Sequence, residues 1–98
     1  MDKIAVFVIY DRAIDEEVLA ALAECGVNSY TRWHNATGVG TTGPHQGDTV
    51  WPALNNVLLA VIDAPSQGRV LDRLRALREQ DFPYVGLRAV AVPVLDMV

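Results

Sequence analysis

The chain of 98 residues predicts an α+β protein, a ferredoxin-like βαββαβ sandwich whose four-stranded antiparallel sheet carries both helices on one face. Three observations lead there. Four short stretches have the length and the β-branched or aromatic content of strands. Two longer stretches switch to an apolar period near 3.6. Their order is β-α-β-β-α-β, with two helical crossovers around one central strand-to-strand connection. No internal repeat, low-complexity tract or second composition appears, so residues 1–98 read as a single domain.

The first strand is KIAVFVIY, Lys3–Tyr10. It is apolar on both parities, with Ile4, Val6, Val8 and Tyr10 on one face and Ala5, Phe7 and Ile9 on the other, and such a strand needs cover on two sides. Ile14–Gly26 follows as a helix. Ile14, Val18, Leu22 and Cys25 form its stripe with Leu19 beside them. Asp15, Glu16 and Glu17 suit the positive end of the helix dipole, and Gly26 suits the C-terminal cap. Val27–Ala36 reads as the second strand, favoured by Tyr30, Thr31 and Trp33. Leu54–Asp63 is the third, apolar on both faces after Asn56. Pro65 and Ser66 open the second helix. Val70, Leu71, Leu74 and Leu77 make its stripe, and Arg75 and Glu79 stand at ion-pairing spacing on the wet face. DFPYVG, Asp81–Gly86, breaks that helix, and Leu87–Leu95 is the fourth strand, with Pro93 marking an edge or a strand end.

Composition narrows the classes. Half the residues, 51%, are hydrophobic, a high share for a small monomer. Two helices cover one sheet face, while three strands are apolar on both, so the open face is expected to pack against other copies of the chain. The net charge of −4 argues against nucleic acid as a partner. The single cysteine, Cys25, excludes an internal disulfide and points to a reducing compartment. Its simplest role is that of a small buried hydrophobe. The apolar run at Lys3–Tyr10 is too short for a membrane span and has no signal-peptide cleavage pattern. The expectation is a cytoplasmic oligomer with no membrane insertion.

The most unusual feature is the connection between the second and third strands, about residues 36–52. Gly38 to Gly47 alone hold four glycines and a proline. Structureless loops beyond about 12–15 residues are uncommon in compact domains and are often functional. Three readings compete. Gly38, Gly40 and Gly43 could turn backbone N–H groups onto a phosphate, with the Thr41 and Thr42 hydroxyls as further donors. The stretch joins strand to strand, so it is neither a P-loop nor a dinucleotide fingerprint. His34 and His45, with Asp48 nearby, could ligate zinc or copper, although their separation matches no established ligand spacing. The loop could instead be a partner-binding arm with Trp51 or Val50 as anchor. Trp33 and Trp51 otherwise suit core or intersubunit packing. Catalysis has no candidate: no nucleophile elbow, Cys/His context or HExxH occurs, and no enzyme is expected. Arg88 stands in an otherwise apolar strand after Gly86, either as an outward or intersubunit ion-pair partner or as a phosphate or carboxylate contact.

With Gly38-Val39-Gly40-Thr41-Thr42-Gly43-Pro44-His45 at the start of that loop, and with this order of elements over the whole chain, the sequence resembles the PII signalling proteins. The resemblance implies a homotrimer with a ligand in each cleft between subunits. It implies an adenine nucleotide such as ATP or ADP as that ligand, and a T-loop-like arm that reaches a protein partner. Its departures are specific. Thr41 and Thr42 stand where PII proteins carry Arg and Gln, and EQDFPYVG replaces a basic, glycine-rich segment. Only Gly86 and Arg88 could then stand in for the usual phosphate grip, and the pattern points away from 2-oxoglutarate sensing. The ligand-binding candidates are therefore Gly38, Gly40, Thr41, Thr42, Gly43, Gly86 and Arg88. A trimer related to CutA and binding a divalent metal through His34 and His45 is the alternative.

Overall fold

The computed structural model describes residues 2–38 and 54–98. Its strands are β1 (Lys3–Asp11), β2 (Thr31–Ala36), β3 (Asn55–Asp63) and β4 (Leu87–Pro93), joined into one sheet in the order β2-β3-β1-β4. Helix α1 (Asp15–Glu24) links β1 to β2, and helix α2 (Gln67–Ala76) links β3 to β4. All three pairings are antiparallel. This is the ferredoxin-like sandwich that the sequence predicts, with β2 and β4 as edges.

Strand parity explains the core. Val6, Val8 and Tyr10 of β1 are buried together with Leu58, Ala60 and Ile62 of β3 and Leu87 of β4. Against them α1 lays Ile14, Val18, Ala21 and Leu22, and α2 lays Val70, Leu74 and Leu77. The alternate residues face the other way. On that side Ile9, Trp33, Val61, Val90 and Val92 are exposed, while Ala5, Phe7, Val57 and Leu59 are half-buried. Together these nine side chains form a contiguous apolar surface on the order of 500 Å², a size at which such patches are often functional. Pro93 closes β4 at an edge of the sheet, as its missing N–H requires.

Local chemistry sets the ends of the helices. Asp11 accepts a hydrogen bond from Ala13 N at 2.8 Å and starts a single 3-10 turn, Arg12–Ile14, ahead of α1. At the other end Gly26 N bonds Ala23 O at 2.9 Å and Val27 N bonds Leu22 O at 2.9 Å. With Gly26 at φ +78°, this is a Schellman cap whose apolar contact is Val27. The cap ends α1 earlier than the sequence pattern does, and β2 begins only at Thr31 rather than Val27.

Cys25 is half-buried against the core rather than fully inside it. The expected Arg75–Glu79 pair does not form. Arg75 bonds Asp72 at 2.6 Å and Arg78 bonds Glu79 at 3.1 Å. The chain widens into a π turn over Leu77–Asp81, and the extra residue per turn rotates Glu79 away from Arg75.

Leu58 is fully buried at the centre of β3. Leu58→Ala is expected to lower unfolding free energy by about 2–5 kcal/mol in urea titrations. Gly26→Ala forces a Cβ into the left-handed region and is expected to cost about 1–2 kcal/mol in the same measurement.

Candidate functional site

The two ends of the central loop leave the sheet at one corner, and a polar cluster holds that corner together. Tyr10 points into the core by parity, so its hydroxyl needs a partner inside the protein. It donates to Asp15 Oδ1 at 2.6 Å, in the first turn of α1. Asn56, opposite Tyr10 on β3 and 2% exposed, donates from Nδ2 to the same oxygen at 3.0 Å. Arg32 of β2 donates from Nη1 to Asp15 Oδ2 at 3.0 Å. One carboxylate therefore ties β1, β2, β3 and α1 together.

The electrostatics follow from this arrangement. Burial alone would push the Asp15 carboxyl up. The hydrogen bonds from Tyr10 and Asn56, with the charges of Arg32 and His34, outweigh it and hold the group below its ordinary value of 3.8. Burial first, and then the bond to Asp15, raise the Tyr10 phenol well above its usual range, so it stays a donor.

The cluster continues into the start of the loop. Asn56 Oδ1 accepts from Asn35 N at 3.3 Å, and Asn35 Oδ1 accepts from Arg12 Nη1 at 3.2 Å. Asn35 lies in the left-handed region at φ 58°, within a bulge that shifts the β2–β3 register between Trp33 and Ala36. Asparagine tolerates that conformation better than most residues. The returning end is held by Arg12 N, which bonds Leu54 O at 3.1 Å. The departure of the chain at Ala36 and its return at Leu54 are thus both fixed.

Of the predicted ligand residues, Gly38, Gly86 and Arg88 fall within the described structure, whereas Gly40, Thr41, Thr42, Gly43 and the metal candidate His45 lie outside it, as do Trp51 and the body of the loop. Gly38, Gly86 and Arg88 are all exposed at the same end of the sheet. Gly86 O accepts from Asp11 N at 2.9 Å, Asp11 pairs with Asn55, and Asn55 pairs with Ala36. One row further in, Arg88, Ile9, Val57 and Trp33 lie side by side on the open face. Gly86 and Arg88 therefore stand on the β4 edge and Gly38 on the β2 edge, three strand spacings or about 14 Å apart. A single copy cannot close all three around one phosphate.

A Cβ added at Gly38 or Gly86 would meet open space, so the fold itself does not require a bare backbone there. Arg88 makes no hydrogen bond or ion pair with another described residue. His34 stands exposed on β2, and among the described residues no group of three metal-ligating side chains comes together. No described helix is long and apolar enough to cross a membrane.

Sequence reading missed the Asp15 cluster, since Asp15 was expected only to complement a helix dipole. The available signal was parity. Asn56 lies two residues before Leu58, and Arg32 pairs with Leu58, so both polar residues fall on the core face.

No family model matches the chain, and no curated protein matches it in sequence. Solved structures match its fold over nearly its full length. A PII-like signalling protein of Thermus thermophilus is 23% identical, with a TM-score of 0.66 over 96% of this chain and 91% of that one. CPII of Thiomonas intermedia K12, a nitrogen regulatory PII-like protein bound to ADP, AMP and bicarbonate, is 17% identical, with a TM-score of 0.70 over 100% and 98%. A DUF3240 family protein of Shewanella baltica is 13% identical, with a TM-score of 0.72 over 98% and 93%. The chain thus has the fold of the PII-like proteins.

Asp15→Ala leaves the Tyr10 hydroxyl and the Asn56 amide without their acceptor, and is expected to cost about 1–3 kcal/mol at pH 7. Because the carboxyl is depressed in the folded state, the part of this contribution that depends on its charge is full above the ordinary value of 3.8 and is lost as pH falls through the folded value. Melting temperatures of the two proteins are therefore expected to differ by a constant amount from pH 7 to about pH 5 and to draw closer below 3.8.

Proposed function

We propose that this chain is a single-domain, cytoplasmic, non-catalytic regulator of the PII-like type. In this reading it is a homotrimer that binds an adenine nucleotide between subunits and contacts a protein partner through the central loop. The observation that carries the reading is the placement of the candidate residues at one end of the sheet but on opposite edges. A ring in which the β4 edge of one copy meets the β2 edge of the next brings Gly86 and Arg88 against the neighbour's Gly38 and the loop that follows it. The same ring covers the open apolar face. Arg88, exposed and unpaired with any described residue, then supplies a fork of donors for phosphate, and the bare backbones at Gly86 and Gly38 admit close approach.

Two features support the nucleotide. CPII, which has this fold, is bound to ADP and AMP. Arg88 and the exposed Gly86 stand together on one edge, the donor and the open backbone that a phosphate group uses. The metal-binding alternative has no such support among the described residues, where His34 has no second and third ligand.

Light scattering at micromolar concentration is expected to give the mass of a trimer; a monomer mass would overturn the assembly. ADP and AMP are expected to raise the melting temperature, whereas zinc and copper are not. Arg88→Ala is expected to weaken nucleotide binding about 10- to 100-fold, as loss of a charge-assisted contact does, with the oligomer mass unchanged. Unchanged affinity in isothermal titration would remove Arg88 from the site.

A further inference from the structure

At the end of the sheet remote from the loop, a second pair of features lies on opposite edges. β3 runs on to Asp63, but the β2 ladder stops where Thr31 pairs with Leu59. Over Ala60–Asp63 the β2 side of β3 therefore has no strand beside it among the described residues. Residues 27–30 pass nearby without making a backbone hydrogen bond to β3. Between them and β3 lies a shallow groove of about 400 Å³ of mixed character, with Cys25, Val61 and the edges of Val27 and Ile62 among polar neighbours such as Ser29 and Asp63. A short unpaired sheet edge with apolar side chains on its flank is a site for an added strand.

The matching element is the segment Val94–Val98, which follows β4. Val94 N still bonds Lys3 O at 3.0 Å, so the segment leaves the sheet at this same end. Beyond that point Leu95 is 98% exposed and Met97 58%. These apolar side chains have no cover. The segment starts from the β4 edge and the groove lies on the β2 edge, so β1 and β3 separate them within one copy.

We propose that residues Val94–Val98 of one copy seat in the Cys25–Ser29 and Val61–Asp63 groove of the next, adding a short strand to β3. The inference rests on the head-to-tail ring proposed above, in which β4 of one copy meets the β2 edge of its neighbour with the strands sharing an axis. Such a contact is heterologous, and it closes when the rotation completes a ring. The open face offers on the order of 500 Å² per copy and a ring divides it between two neighbours, so each contact falls short of the roughly 800 Å² per partner in a standard stable interface. Burying Leu95, Met97 and Val98 adds roughly 300 Å². The segment thus fastens the end of the ring remote from the ligand clefts.

The native Cys25, the chain's only cysteine, gives a direct test because it lines the groove. Leu95→Cys and Met97→Cys are made separately, and each is oxidised with diamide at low micromolar concentration. A disulfide needs the two Cα atoms within about 7 Å. At least one variant is expected to give covalent multimers on a non-reducing gel, and these are expected to vanish when Cys25→Ser is added. Tyr84→Cys, 95% exposed beside the opposite end of β4, is expected to give none. In a parallel arm, Leu95→Asp with Met97→Asp is expected to raise the concentration at which the oligomer dissociates by at least tenfold. These side chains contact nothing that folding needs, and circular dichroism verifies that each variant is folded. If neither cysteine crosslinks while the unmodified protein keeps its multimer mass in light scattering, the docking is overturned and the ring stands. A monomer mass for the unmodified protein overturns both.

Discussion

Two helices can cover only one face of a four-stranded sheet, and this chain has made both faces apolar. That mismatch governs the rest of the molecule. On the covered side, Val6, Val8, Leu58 and Ala60 meet the stripes of α1 and α2 and form a closed core. On the open side, Phe7, Ile9, Leu59 and Val90 have the same chemistry, and no described helix lies over them. Water at such a surface is unfavourable in proportion to its area, and association is one way to remove it. The covered core and the open apolar face are two consequences of one hydrophobic pattern.

The Asp15 cluster shows how a polar corner is kept in such a protein. Tyr10 and Asn56 occupy core positions whose neighbours are Val8 and Leu58, and each brings a polar group that must be satisfied. A carboxylate at the first turn of α1 accepts from both and pairs with Arg32. The cost of burying its charge is offset by three donors and by the positive end of the helix. The Asn56 carbonyl then reaches Asn35 N and fixes the bulge from which the loop departs. The geometry of the loop base is thus tied to the core.

The placement of the candidate ligand groups on the two sheet edges has a simple origin. Antiparallel order β2-β3-β1-β4 sends the ends of the central pair to the middle and leaves β2 and β4 outside. The loop belongs to β2, while Gly86 and Arg88 belong to β4. They share an end because β4 starts where β2 finishes. No rearrangement within one copy closes that gap, since β1 and β3 fill it.

What the sequence determined by itself was the class of fold, the strand faces and the helix stripes. These depend on periodicity, and periodicity is a local property: Val6, Val8 and Tyr10 alternate whatever lies beside them. The unusual length and glycine content of the loop and the isolation of Arg88 in an apolar strand were legible for the same reason. The tertiary structure alone decided which polar residues meet. Tyr10, Asp15, Arg32 and Asn56 come from four elements, and no spacing along the chain announces their contact. It also decided that Gly38 and Arg88 share an end but not an edge, because strand order and register arise only when the crossovers close. Even the helix ion pairs changed, since a single π turn rotated Glu79 away from Arg75. Local patterns specify which residues face inward; only the closed sheet specifies which of them become neighbours.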